Sequence, residues 1–172
     1  MNILAIDFET ADYGHDSACA IGLARIEDGH VVRSEGFLIR PPRREIMFSH
    51  IHGLTWADCE SSPAFAALWP GLASWFDGIE MIAAHNAGFD RGILNGCCAA
   101  AEIVAPALPY LCTVRLARQA WDLRPTRLPD VCRHLVIALN HHDAASDARA
   151  CAEIVCAALA DGVALQGAVL QR

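Results

Sequence analysis

Asp7-Phe8-Glu9 places two carboxylates two residues apart at the end of an apolar run, and side chains at that interval along a strand share one face. Ionised like charges at such range repel, so one must take up a proton or a cation must lie between them. An all-oxygen ligand set favours Mg²⁺ or Mn²⁺. A second cluster, His85-Asn86-Ala87-Gly88-Phe89-Asp90, falls where an apolar run gives way to a helical pattern. A third, His141-His142-Asp143-Ala144-Ala145-Ser146-Asp147-Ala148, sets an imidazole beside carboxylates, the combination a water-activating base needs at neutral pH. Each segment alone also has an ordinary use: a solvated strand end for Asp7 and Glu9, a helix-dipole partner for Asp90, an N-cap for Asp143 or Ser146.

The elements that would position these groups follow from hydrophobic period and turn chemistry. Residues 2–8 read as a buried strand. Ala18–Glu27 and His30–Arg40 read as two more, joined by Asp28-Gly29, because a type I′ turn needs positive φ at both central positions. Pro41 and Pro42 end the third strand, and Thr55 with Asp58 predicts a short helix after His52-Gly53-Leu54. A helix is expected over Pro63–Phe76, a buried strand over Glu80–His85, and an Ala-rich helix from near Asn86 to before Pro106. Thr113–Trp121, Leu128–Leu139 and Ala144–Leu159 carry helical periodicity, with breaks at Arg124-Pro125-Thr126 and Asn140-His141-His142. The pattern predicts a mixed sheet flanked by helices in one domain, with residues 161–172 a short, weakly structured tail.

The chain has 172 residues, 54% hydrophobic and 19% charged, enough for a sizeable core. All thirteen basic residues are arginine, and the net charge of -7 argues against a binder driven by electrostatics alone. Arg115, Arg118, Arg124, Arg127 and Arg133 nevertheless form a local basic strip. Tyr13, Trp56 and Phe89 are candidates for stacking on a base. The eight cysteines include no CxxC pair and mostly lie in apolar runs, which reads as buried thiols in a reducing compartment. The amino terminus lacks a signal-peptide pattern and no run is long enough for a membrane helix, so a cytoplasmic protein without membrane contact is expected.

Taken together, Asp7-Phe8-Glu9-Thr10, then Asn86-Ala87-Gly88-Phe89-Asp90, then His142 with four residues before Asp147-Ala148, resemble the Exo I, II and III motifs of the DEDDh (DnaQ-like) 3′-5′ exonucleases, the family of the DNA polymerase III epsilon proofreading subunit. Ile51-His52-Gly53-Leu54-Thr55 and Thr113-Val114-Arg115-Leu116-Ala117-Arg118 are similar to auxiliary segments of that family. The resemblance implies an α/β, ribonuclease-H-like fold, a five-stranded mixed sheet flanked by helices, over residues 1–160, with 161–172 as the tail. It implies that Asp7, Glu9, Asp90 and Asp147 hold two divalent cations, Mg²⁺ or Mn²⁺. Asp7 would bridge them, Glu9 and Asp147 would complete the shells, and Asp90 would act partly through water. His142 would deprotonate the attacking water, leaving His141 a surface neighbour.

By the same resemblance Thr10 and Leu54 would contact the terminal nucleotide. His52, Asn86 and Phe89 are further substrate-binding candidates, with core support of the site as the alternative for Asn86 and Phe89. The implied reaction removes nucleoside 5′-monophosphates from single-stranded or frayed 3′ ends, with single-stranded DNA favoured, in repair or proofreading. An RNA-processing exonuclease is the alternative within the family. A DNA polymerase or a second copy of the chain are the implied partners, although few residues follow Asp147 to serve as a polymerase-binding tail. Cys112 stands where many relatives have Asp, and Val136-Ile137 replaces a Leu-Gly-Ile ending. An aspartyl-nucleophile phosphatase fits poorly, since a second Asp and a later lysine are missing. A silent nucleic-acid-binding module would be expected to have lost a ligand or the base, and here the set is complete.

Overall fold

The computed structural model describes residues 1–171. Its centre is a five-stranded sheet in the order β3-β2-β1-β4-β5, with β1 Asn2–Thr10, β2 Ala18–Glu27, β3 His30–Leu38, β4 Met81–Ala84 and β5 Tyr110–Cys112. The first three strands form an antiparallel meander, while β4 runs parallel to β1 and β5 parallel to β4. Asp28 and Gly29 make the β2–β3 turn with φ of 47° and 79°, as the Asp-Gly pair predicts.

β1 is buried on both faces, and its two-residue period divides the molecule. Leu4, Ile6 and Phe8 join one core with helices α3 (Phe65–Ala73) and α4 (Gly88–Ala100). Ile3 and Ala5 join the other, with α5 (Thr113–Trp121) and α7 (Ala144–Ala160). Continuing the odd-numbered row carries Asp7 and Glu9 to the α7 face. Two one-turn helices, α1 (Ser49–His52) and α2 (Trp56–Cys59), and α6 (Leu128–Leu135) complete the helices. The expected cap is present: Thr55 Oγ1 lies 2.6 Å from Asp58 Oδ2 in a capping box that opens α2.

Several boundaries differ from expectation for local reasons. The strand over Glu80–His85 narrows to Met81–Ala84, and the next helix starts at Gly88, because Asn86 takes φ of 67° and breaks both. The helix expected to reach Leu139 stops at Leu135, since Val136 enters the left-handed region with its amide on the Cys132 carbonyl. The helix over Pro63–Phe76 is α3 followed by a 3-10 turn at Ser74–Phe76. β5, three residues long, is too short for periodicity to reveal, and α1 precedes the helix that Thr55 announced.

The segment read as a weakly structured tail is instead docked through residue 171. Leu165 and Ala168 are buried, Val169 bridges Leu111 of β5, and the Leu170 amide donates to the Tyr110 carbonyl at 2.7 Å. It thereby covers the β5 edge of the sheet. Seven of the eight cysteines are buried, and all eight are free thiols. Among the described residues no helix is long and apolar enough to cross a membrane.

The amino terminus of α7 is brought onto the sheet by two glycines. Asp7 pairs with Gly22 and Gly22 with Gly36, a row across β1, β2 and β3. A Cβ on Gly22 would lie 1.7 Å from the Ala144 carbonyl oxygen, and one on Gly36 would lie 2.8 Å from the Ala145 Cβ. Gly22→Ala is therefore expected to lower unfolding free energy by about 3 kcal/mol, the upper end of overpacking costs, as α7 is pushed off the sheet. Gly71→Ala, in α3 with open space around it, should gain up to about 1 kcal/mol. Urea titration of the two variants against the parent measures the contrast.

Candidate active site

Asp7 and Glu9 project from β1 toward Asp147, which lies in the first turn of α7. One carboxylate oxygen from each falls within 4.8 Å of the others. Burial pushes the Asp7 carboxyl well above its ordinary range, and the charges of Asp90, Asp147 and Glu9 add to the push. Burial likewise raises Glu9, to about 8, with Asp147 and Asp90 contributing. Asp147 is raised by burial against the opposing pull of the His142 amide and of His141. Its Oδ1 is buried with no hydrogen-bond partner among the described residues. A buried carboxylate oxygen without a donor, beside two more carboxylates, could be satisfied by a cation, or by a proton held among the acids.

Asp90 stands apart from this convergence. It is 1% exposed, and its Oδ1 accepts the Phe8 backbone amide at 3.1 Å, tying α4 to the middle of the Asp7-Phe8-Glu9 segment. Burial raises its pKa while that amide pulls it down.

The loop before α7 is built by side-chain caps. Asp143 accepts the Ser146 amide at 2.9 Å, and the Asn140 amide donates to Ser146 Oγ at 2.8 Å. His142 sits between them at φ of 70°, with its own amide donating to Asp147 Oδ2 at 3.1 Å. Burial, then the charge on His141, depresses the His142 pKa, against the opposing pull of Asp147. His141 is more than a surface neighbour. Its side chain is 37% exposed, yet Nδ1 lies 2.9 Å from Asp147 Oδ2 and its ring stacks on His142. The sequence offered one signal for this, the His-His doublet itself.

Two cavities meet at this cluster and share Glu9, His141 and His142. The first, about 720 Å³, is lined by Asp7 and Asp147 together with Arg118, Arg124 and Arg127. Arg127 and Arg133 of the basic strip are both committed to Asp130, whereas Arg118 and Arg124 have no carboxylate partner among the described residues. The second, about 620 Å³, is lined by Ile51, Leu54, Phe37 and Gly36.

His52 braces the second cavity: its Nε2 donates to the Thr10 carbonyl at 3.1 Å while Nδ1 accepts the Leu54 amide at 3.1 Å. His85, with its pKa depressed to about 4 by burial, links Thr113 Oγ1 and the Thr126 carbonyl at 2.9 Å each, so it fixes the wall that carries the arginines. Both histidines act through backbone positions, which no local pattern announces. Thr10 is buried and Leu54 half-buried. Asn86 and Phe89 are exposed rather than core residues, with Asn86 on the first cavity. Trp56 bonds Glu60 at 2.9 Å and Tyr13 packs edge-on against Phe48, both outside these two cavities.

Comparison with known proteins shows the family and the fold. A family model described as exonuclease matches residues 4–155. A Mycobacterium tuberculosis protein named a bifunctional exonuclease/endonuclease is 32% identical over 157 residues, 88% of this chain and 24% of that protein. DNA polymerase III PolC-type of Thermotoga petrophila is 30% identical over 155 residues, 88% of this chain and 11% of the polymerase. The chain thus spans a quarter or less of these relatives. The nuclease domain of 3′hExo, a DEDDh family member bound to rAMP, shares the fold with a TM-score of 0.80 at 16% identity, over 99% of this chain and 96% of that one. With the family model matching residues 4–155 and the fold in agreement, the chain belongs to the DEDDh, DnaQ-like family of 3′-5′ exonucleases.

Proposed function

We propose that this chain hydrolyses phosphodiester bonds from the 3′ end of single-stranded or frayed DNA, releasing nucleoside 5′-monophosphates, with His142 as general base. The observation that carries the reading is the convergence of Asp7, Glu9 and Asp147 around the unpartnered Asp147 Oδ1, with the His142 ring at the rim. Asp7, Glu9, Asp147 and, through water, Asp90 would hold two divalent cations, Mg²⁺ or Mn²⁺. Those ions supply the charge that stabilises the incoming hydroxide and the departing 3′ oxygen of an in-line displacement.

The protein's own groups do the rest. His142 accepts the proton of the attacking water, and the Asp147 carboxylate beneath its amide fixes the loop that carries it. Arg118 and Arg124 line the first cavity together with the acids and suit upstream phosphates. Thr10 and Leu54, braced by His52, suit the terminal nucleoside, with Asn86 and Phe89 at the opening. DNA is favoured over RNA because PolC-type polymerases carry the matching segment, which also makes a polymerase the favoured partner. Eight free thiols suit a cytoplasmic setting.

Digestion of matched 5′-labelled single-stranded DNA and RNA in Mg²⁺ or Mn²⁺ tests the reading. A ladder shortening from the 3′ end, abolished by chelator and by Asp7→Ala and slowed about 10²- to 10⁴-fold by His142→Ala, is expected. Faster cleavage of RNA would overturn the substrate assignment, and cleavage undiminished in His142→Ala would overturn the base.

Two further outcomes follow from the electrostatics. The folded protein keeps a proton on Glu9 up to about pH 8, whereas the unfolded chain releases it near 4.5, so without metal rising pH removes stability across that window. Calorimetry should show a lower Tm at pH 8 than at pH 5 in chelator, and a larger gain from Mg²⁺ at pH 8. Arg124→Ala should weaken binding of oligonucleotides of any sequence and reduce the slope of log affinity against log salt by about one, read by fluorescence anisotropy.

A further inference from the structure

Beside the oxygen cluster lies a donor set of different chemistry. One ligand atom from each of His141, His142 and Asp147 falls within 4.8 Å of the others. His141 Nδ1 is already 2.9 Å from Asp147 Oδ2, and the two imidazole rings stack with centroids 3.8 Å apart and planes 24° from parallel. Ligands around a tetrahedral Zn²⁺ at about 2.0–2.2 Å stand roughly 3.4 Å from one another. Stacked rings hold their in-plane lone pairs nearly parallel, so binding would turn at least one imidazole out of the stack to close the set. The backbone beneath is fixed by the Ser146 and Asp143 caps, so both rings are presented from one rigid corner.

The donor types decide which metal suits the place. Carboxylate clusters favour Mg²⁺ and Mn²⁺, whereas imidazole suits zinc and its transition-metal neighbours. The buried Asp147 Oδ1, without a hydrogen-bond partner among the described residues, leaves this carboxylate acceptor capacity that either donor set can use.

We infer that His141, His142 and Asp147 form a Zn²⁺ site whose occupation switches off hydrolysis. Three protein ligands leave a fourth position for water or an anion, the usual count for an open zinc site. A neutral imidazole has one acceptor nitrogen, so a His142 that ligates zinc cannot accept a proton from water. Asp147 belongs to both donor sets, so zinc also draws it from the carboxylate cluster. The inhibitory part of this inference rests on the hydrolytic reading above, and the binding part stands without it.

The test uses Co²⁺ alone as a visible probe in metal-free protein, then displaces it with Zn²⁺. Four-coordinate Co²⁺ with imidazole ligands absorbs far more strongly than six-coordinate Co²⁺ among oxygens. The band should appear in the parent, persist in Asp7→Asn and disappear in His141→Gln. Zn²⁺ affinity in His141→Gln should fall tenfold or more, since loss of an outer-shell partner alone costs about 10- to 100-fold. His141→Asn, with circular dichroism on each variant, separates loss of the ligand from loss of the fold.

In a second arm, Zn²⁺ titrated into the Mg²⁺-supported digestion should inhibit the parent at a concentration at least tenfold below that needed for His141→Gln, each relative to its own uninhibited rate. A band that survives in both His141 variants, or that vanishes in Asp7→Asn, would place the metal among the carboxylates and overturn the site. Equal zinc sensitivity of parent and His141→Gln would overturn the switch. A protein that cuts neither polymer still gives the Co²⁺ result, so failure of the hydrolytic reading is distinguishable from failure of this one.

Discussion

Asp7, Glu9 and Asp147 can share one small volume because the first turn of α7 rests directly on the sheet, over Gly22 and Gly36. The approach brings together charges that repel, and burial denies them water, so the folded chain carries raised carboxyl pKa values as a standing cost. Packing must supply what electrostatics opposes. It does so on both sides of the Gly22 contact, through the apolar row of β1 and the small residues Ala148, Cys151 and Ala152 that let α7 lie close. The site is thus a strained corner held by a well-packed interior, and a divalent cation would relieve it.

Much of this was legible in the residues. The Asp-x-Glu spacing names a shared strand face, and the odd-numbered register of β1 puts that face under α7. Asp28-Gly29 gave the hairpin, Thr55 with Asp58 the cap, and the three clusters gave the acids and His142. What stayed hidden depends on contacts distant in sequence. Gly22 and Gly36 look like ordinary strand glycines until α7 is laid across them. His52 and His85 hold backbone groups of Thr10 and Thr126, partners 42 and 41 residues away. β5 exists because parallel pairing with β4 and the docked 165–170 segment satisfy three residues that have no period of their own.

The charge distribution resolves an apparent conflict between an acidic chain and a polyanionic substrate. The net charge is -7, yet the carboxylates of β1 and α7 share the first cavity with Arg118, Arg124 and Arg127. Cations held by those carboxylates would make the cavity more attractive to phosphate. His85 ties the arginine-bearing loop to the end of β4.

The buried cysteines have a consequence for chemical durability. Burial pushes the Cys19 thiol up to about 12, and Cys97, Cys98 and Cys132 to about 11, so at neutral pH these groups present almost no thiolate. In the native fold these positions should therefore react slowly with alkylating agents and peroxide. Once the chain opens, eight thiols become reactive together, and an oxidising medium would convert a reversible unfolding into crosslinked, misfolded chains.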